Sequence, residues 1–319
     1  MKKAVVAFPD IVTNSYFAAL AAIELGCFAE QGIDARAELI FPSQNAYDAV
    51  RTGHAQFVAA PAHSALQSFP NYQGVKLAAA LSQGMYWKLV LATARPGTPG
   101  DLNAVRGLRI GAAPMVELGL KIMLREAGID PETDVAIVPV PGADAPGASF
   151  GVTAAVALEQ GLIDGFWANA MGAAAAIRSG AGRVILDIRR GLGPEGAFHY
   201  TFPVLAVADH LIESDPDLVA GGIRAIVSAQ TKLRADPSLA AKVGLAAFPA
   251  EDAAAIEAVV AEDLPWTRAA ITPAAISGLC AFARAAGLMT GSPTYENVAA
   301  TRFTALWGPQ DGEAWLSPE

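Results

Sequence analysis

Residues 32–60 read GIDARAELIFPSQNAYDAVRTGHAQFVAA. After Gly32-Ile33-Asp34 the chain reads as a strand from Ala35 to Phe41, is broken at Pro42-Ser43, and continues as a helix from Asn45 to Thr52. Gly53 then leads into a strand from Gln56 to Ala60 that is apolar from Phe57 onward. Upstream, Val5 to Phe8 reads as a short buried strand, and Thr13 to Phe28 reads as a helix with apolar positions three and four residues apart. Strand, helix, strand, helix, strand is the rhythm of a parallel α/β sheet.

The same phrase returns later in the chain. Leu108 to Ala112 reads as a strand and Met115 to Ala127 as a helix. Gly128-Ile129-Asp130 then repeats the earlier tripeptide, and Val135 to Val140 answers the earlier strand. A helix from Val152 to Gln160 and Gly161 lead into Ile163-Asp164-Gly165-Phe166-Trp167. The tripeptide glycine and the later glycine are 53 − 32 = 21 residues apart in the first copy and 161 − 128 = 33 in the second. The second copy therefore carries an insertion of about a dozen residues around Gly142 to Phe150, long enough to be a functional loop. The expected fold class is α/β with two lobes, each a mainly parallel sheet flanked by helices.

Between the copies, Val75 to Ala80 and Trp87 to Thr93 read as strands, and residues 95–100 form a Pro- and Gly-rich linker. A second crossing is expected after Arg183 to Ile188, near Phe198 to Val207. Two crossings between two lobes describe a hinge with a cleft. Beyond Ala208 the chain reads as helices: Asp215 to Leu233, Pro237 to Ala246, Ala250 to Glu262, Pro273 to Ala286 and Tyr295 to Leu306, which are expected to cover the first lobe. The expected division is residues 1–93 for lobe 1, 94–203 for lobe 2, and 204–319 for a return to lobe 1 with its helical cover.

Composition narrows the function. The 319 residues carry 22 Lys and Arg against 31 Asp and Glu, a net charge of −9, which argues against a nucleic-acid partner. Hydrophobic residues make up 53% and alanine about a fifth, a composition for packed helices rather than disorder. No uninterrupted apolar run reaches the roughly 18 residues of a membrane helix. After Met1-Lys2-Lys3 the apolar run ends at Pro9-Asp10, too short for a cleavable signal. Gly191 to Gly196 fits a GxGxxG spacing, but β-prone aromatic sequence follows where a helix should open, so an interlobe loop is expected and no cofactor. His54, His63, His199 and His210 lack metal-ligand spacing, and no GxSxG elbow is present. Cys27 and Cys280 have no spaced partner and read as small buried side chains.

In open α/β sheets ligands bind beyond the carboxyl ends of the strands. That rule selects Asp10 beside Pro9 and Ile11; Ser43, Gln44 and Asn45; His63 beside Ser64; Gln83, Tyr86 and Trp87; Met115 and Glu117 beside Val116; Trp167 and Asn169; and Phe198 and Tyr200. Aromatic faces with short polar groups and little positive charge are the makings of a small-molecule pocket. Trp87 and Trp167 are the sharpest candidates, with core packing as the alternative at each. His63 stands either as a ligand contact or as a helix-capping residue.

Three segments resemble a known family. Glu24 to Asp34 is similar to a "kGyFekeGldv" pattern, Ala49 to Val58 to "AlxxGxxDxxx", and Asp101 to Gly111 to "DLkGKkIgv", in the same order and spacing. Over nearly its whole length the chain resembles the type II periplasmic substrate-binding proteins of the NMT1/THI5-like, nitrate, sulfonate and taurine group of ABC importers. The resemblance implies two α/β lobes closing like jaws on a small solute, an ABC permease as membrane partner, a monomer, and a periplasmic location with the export signal missing from this sequence; a cytoplasmic ligand-sensing domain is the alternative address. At the second-lobe turn, where relatives that take oxyanions are expected to offer Ser or Thr and free amides, this chain reads Ala112-Ala113-Pro114-Met115-Val116-Glu117. Pro114 lacks an N–H and Glu117 adds a carboxylate, which points to a neutral or cationic, pyrimidine-like ligand, with a sulfonate, nitrate or other organic anion as the alternative. In the alternative, Glu117 is an ordinary N-terminal helix acid facing solvent. Relatives of the fold that make the thiamine pyrimidine or cleave carbon–sulfur bonds set an enzyme beside the binding protein. The Cys-rich motif is absent, however, and Cys27 is expected near the C-terminal end of its helix, where a thiolate is disfavoured. The expectation is therefore a binding protein without catalysis.

Overall fold

The computed structural model describes residues 1–308; the end of the expected 204–319 segment, from 309 on, lies outside the described residues. Ten strands form two five-stranded sheets: β1 (Lys2–Phe8), β2 (Ile33–Leu39), β3 (Phe57–Pro61), β4 (Val75–Ala80), β5 (Lys88–Ala92), β6 (Arg109–Ala112), β7 (Ala136–Val138), β8 (Gly165–Ala168), β9 (Gly182–Asp187) and β10 (Pro203–Ala208). The first sheet runs β2-β1-β3-β10-β4 and the second β7-β6-β8-β5-β9. In the first, β1 pairs parallel with β2 and β3, whereas β10 is antiparallel to β3 and β4. The second repeats this: β6 is parallel to β7 and β8, and β5 is antiparallel to β8 and β9. Each sheet is therefore mixed, and the reversed strand in each is the one delivered by a crossing from the other lobe.

That exchange corrects the expected boundary at residue 93. β5 is a buried inner strand of the second sheet, so the first crossing falls at residues 81–87, with the second between β9 and β10. Residues 87–93 read as a strand in either case; which sheet receives it is decided by tertiary pairing, which sequence pattern alone does not carry. The two crossings are clasped together. Leu81 N donates to Pro203 O at 2.8 Å and Met85 N to Phe198 O at 2.9 Å, and the buried Arg189 guanidinium donates to Gln83 O at 2.8 Å and Ser82 Oγ at 2.6 Å. Gly191 to Gly196 lies within the second crossing.

The helix expected over Thr13–Phe28 is shorter and broken. It runs Phe17–Glu24, then Gly26 at φ +73° turns the chain into a second short helix, Cys27–Glu30. Cys27 thus opens a helix rather than closing one, but it is buried in the lobe 1 core. Residues 9–16 stay irregular because Thr13, Asn14 and Ser15 spend their polar groups on loop and interlobe contacts.

The C-terminal helices do more than cover lobe 1. Pro216–Ala235 packs on Phe17–Glu24 and Cys27–Glu30, as expected, whereas Ala250–Asp263 packs against Ala170–Arg178 of lobe 2. Pro273–Ala285 sends Phe282 into a lobe 2 core with Tyr200. The expected helix Tyr295–Leu306 is instead Tyr295–Val298, a bridge from Ala299 to Leu77, and a 3₁₀ segment Thr301–Leu306. Trp307 Nε1 donates to Ala78 O at 2.7 Å, so this strap closes the open edge of β4. Among the described residues no helix is long and apolar enough to cross a membrane.

Candidate functional site

The carboxyl ends of β1, β3, β6 and β8 converge on the gap between the lobes. A cavity of about 50 Å³ remains there, lined on the lobe 1 side by Pro9, Asp10, Thr13, Ser15, Tyr16, Phe41, Ser43 and Pro61. Trp87, Ala113, Pro114, Val116, Phe150, Ala168 and Asn169 line it from the lobe 2 side. A dry cavity near 150 Å³ accepts a benzene ring, so the lobes stand closed here around space for a few waters.

Two lobe 2 helices aim their N-termini at this gap. Phe150–Glu159 and Ala170–Arg178 cross so closely at Gly151 and Gly172 that a Cβ on Gly172 would lie 2.5 Å from the Gly151 carbonyl oxygen. Such N-termini present unpaired amides and a positive dipole end, and lobe 1 side chains meet them. Asn14 Oδ1 accepts from Ala170 N at 3.1 Å, while Asn14 Nδ2 donates to Asp263 Oδ2 at 2.5 Å. Asp10 Oδ2 accepts from Ser149 Oγ at 3.2 Å and Asn169 Nδ2 at 3.4 Å. Asp10 Oδ1 is buried and has no hydrogen-bond partner. Burial pushes the Asp10 carboxyl up to about 7, against the opposing pull of the Ser149 hydroxyl and the Phe150 and Val12 amides, and the Asp252 carboxylate adds to the rise.

Of the fourteen sequence-selected residues, Asp10, Ser43, Trp87 and Asn169 line the cavity. Gln44 and Asn45 are exposed on the outer side of the helix Ser43–Arg51. His63 is fully buried as an interlobe strut. Its Nε2 donates to the Met115 carbonyl at 3.0 Å, so Nδ1 accepts from Thr201 Oγ1 at 2.9 Å. Burial lowers its pKa to about 4, which keeps the ring neutral. Met115 supplies that carbonyl from a left-handed backbone at φ +71°. Gln83 is a hinge clip, donating to Arg268 O and Ala270 O, both at 2.9 Å. Tyr200 stacks on Phe282 with centroids 4.9 Å apart and donates to Glu126 Oε2 at 2.5 Å, and Phe198 packs beside the hinge.

Trp167 stands in a second row. It is 0% exposed, donates from Nε1 to Val116 O at 3.0 Å, and meets Trp87 edge-on at 6.3 Å. Tyr86 backs Trp87 from another side at 4.7 Å. Glu117 is half-buried outside the cavity lining, with Oε2 buried and unpartnered and its pKa raised by desolvation. Thr13, Ser15 and Tyr16, inside the expected helix Thr13–Phe28, the rim residue Phe41 and the Ser149-Phe150 pair also belong to the site, though the strand-end rule does not select them. The signal for that pair was present in the insertion around Gly142 to Phe150. Among the described residues no group of three or more His, Cys, Asp or Glu is placed to hold a metal ion.

Solved structures share this architecture. A protein from Bordetella bronchiseptica is 18% identical with a TM-score of 0.70, covering 95% of this chain and 94% of that one. The alkanesulfonate-binding protein SsuA from Xanthomonas axonopodis pv. citri, bound to MOPS, is 12% identical with a TM-score of 0.67, covering 95% and 98%. The desulfurization enzyme DSZB is 16% identical with a TM-score of 0.64, covering 98% and 97%. The two-lobed fold is thus that of type II periplasmic binding proteins, and it also carries an enzyme. No curated protein sequence matches the chain. The family model for NMT1/THI5-like proteins matches residues 14–240, most of the chain, and the chain belongs to that family.

Proposed function

We propose that this protein is the solute-binding component of an ABC importer, a periplasmic monomer that captures a small polar heterocyclic or aromatic solute between its lobes and presents it to a membrane permease. The observation that carries this reading is the cleft itself: two lobes joined by two clasped crossings, with Trp87 on one wall and the half-satisfied carboxylate of Asp10 on the other. A ring-sized solute needs the lobes further apart than here, and rotation about residues 81–87 and the second crossing supplies that movement. Captured solute then replaces interlobe contacts that the closed protein now makes with itself.

The fold shared with DSZB raises an enzyme as the second reading. Cys27 lies in the lobe 1 core rather than at the cavity, and the described cavity lining contains no Cys, His or Lys, which supports binding over catalysis. The test is a thermal-shift screen of pyrimidines, aromatic amines, amino acids, sulfonates and nitrate, followed by mass spectrometry of the recovered compound. A rise in midpoint with an unchanged pyrimidine or aromatic amine is expected. Conversion of any compound would favour the enzyme, and a shift with sulfonates alone would replace the heterocycle with an organic anion.

A further inference from the structure

The lobe 2 wall of the cleft is built to favour negative charge, because two helix N-termini end on it. In the closed protein a carboxyl of the chain itself takes that place. Asp10 reaches across from the end of β1, and its Oδ2 takes hydrogen bonds from Ser149 and Asn169, the residues that stand at the starts of the two helices. Asp10 lines the cavity, and its Oδ1 is left buried and unpartnered. An ionised carboxylate is acceptor-only, and a buried acceptor without a donor is costly. The neighbouring turn adds no competing donor at Pro114, which has no N–H.

Resting on the capture reading above, we infer that Asp10 is the charge-selecting residue of the cleft. Its Oδ2 occupies the anion seat between the two helix starts, and its Oδ1 receives a cationic or N–H-donating group of the solute. The class of solute that fits is a planar amine, amidine or amino-substituted heterocycle. A free carboxylate, sulfonate or nitrate would have to displace Asp10 or meet it as like charge.

Three probes of one shape separate the possibilities: benzamidine, benzamide and benzoate, measured by isothermal titration calorimetry at pH 8 with wild-type protein and Asp10→Asn. Benzamidine is expected to bind about tenfold more tightly than benzamide, because its N–H donors bring a positive charge to the carboxylate and those of benzamide do not, with benzoate weakest. Asp10→Asn is expected to bring benzamidine to within about threefold of benzamide, both binding more weakly than to the wild-type protein. Benzoate binding as well as benzamidine in the wild-type protein, or an unchanged benzamidine preference in a folded Asp10→Asn variant, would overturn the assignment and leave the cleft reading standing. Failure of all three probes at millimolar concentration would instead remove the aromatic-capture reading, and this inference with it. Where Asp10→Asn does not fold, Glu117→Gln decides the point: an unchanged benzamidine preference leaves the selection with Asp10, and its loss assigns it to Glu117 and overturns the inference.

Discussion

The sheet β2-β1-β3-β10-β4 and the sheet β7-β6-β8-β5-β9 have one strand order and one pattern of reversed strands, yet their rims meet the cleft with different chemistry. Lobe 1 ends its strands in side chains that reach outward: Asp10, Asn14 and His63 each bond to a lobe 2 partner. Lobe 2 answers largely with backbone and short polar groups, namely the Met115 carbonyl, the Ala170 amide, the Ser149 hydroxyl and the Asn169 amide. Behind that rim lobe 2 places its aromatic mass, with Trp87 in front and Trp167 behind. A duplicated plan thus yields an asymmetric cleft: one jaw reaches across, and the other presents helix ends and a flat apolar wall.

The sharpest way to break that picture is Trp167→Ala. Because the ring is wholly buried behind Trp87 and its indole N–H has a carbonyl partner, the substitution is expected to cost about 3–5 kcal/mol of stability, as for other large-to-small core changes. Trp87→Ala removes a ring that lines the cavity and is expected to weaken solute binding as well. Chemical denaturation of Trp167→Ala checks the first statement. Wild-type stability with lost solute affinity would move Trp167 from the second row to the cavity wall.

Gly172→Ala tests how lobe 2 brings its two helix starts together. The new Cβ meets the Gly151 carbonyl, which is backbone and cannot swing away. A loss of about 1–3 kcal/mol is expected, of the size overpacking usually brings, and circular dichroism melts would read it. A variant as stable as the wild type would show that the helices separate freely and that their convergence does not shape the cleft.

The difference between the lobes also explains what sequence reading reached. The repeated Gly-Ile-Asp tripeptides and apolar β3 announce two α/β units because chain-local patterns encode strand and helix. The strand-end rule reached Asp10, Ser43, Trp87 and Asn169 for the same reason. It also selected Gln83, Phe198 and Tyr200, since residues of a crossing follow or precede strands just as cleft residues do; only the pairing of β5 and β10 into the opposite sheets separates hinge from pocket. His63 shows the limit most clearly. Its partners are 52 and 138 residues away, and a buried neutral strut has the same local sequence as a ligand contact.

The smallest effect expected concerns protons, and it follows from Asp10 crossing from one lobe to the other. In the closed protein its carboxyl is held up to about 7 by burial, whereas an opened cleft returns it towards the ordinary 3.8. A value raised by closure means that the protonated form favours the closed state. The contribution is complete below the open-state value and is lost as pH rises through about 7. Lowering pH from 8 to 6 is therefore expected to raise the closed-to-open ratio of the empty protein about tenfold, ~1.4 kcal/mol. The charged and titratable groups around Asp10 do not reverse this sign: the Asp252 carboxylate acts in the same direction, and the Tyr16 hydroxyl is itself pushed above its ordinary range. His63 adds nothing over this window, since its pKa lies near 4. Energy transfer between dyes on the two lobes reads the ratio directly, with Asp10→Asn as the control that should flatten the profile. A pH response that persists in Asp10→Asn would assign the proton to another group, with the half-buried Glu117 the first to test, and would place the charge of the cleft on lobe 2 rather than on the jaw that reaches across.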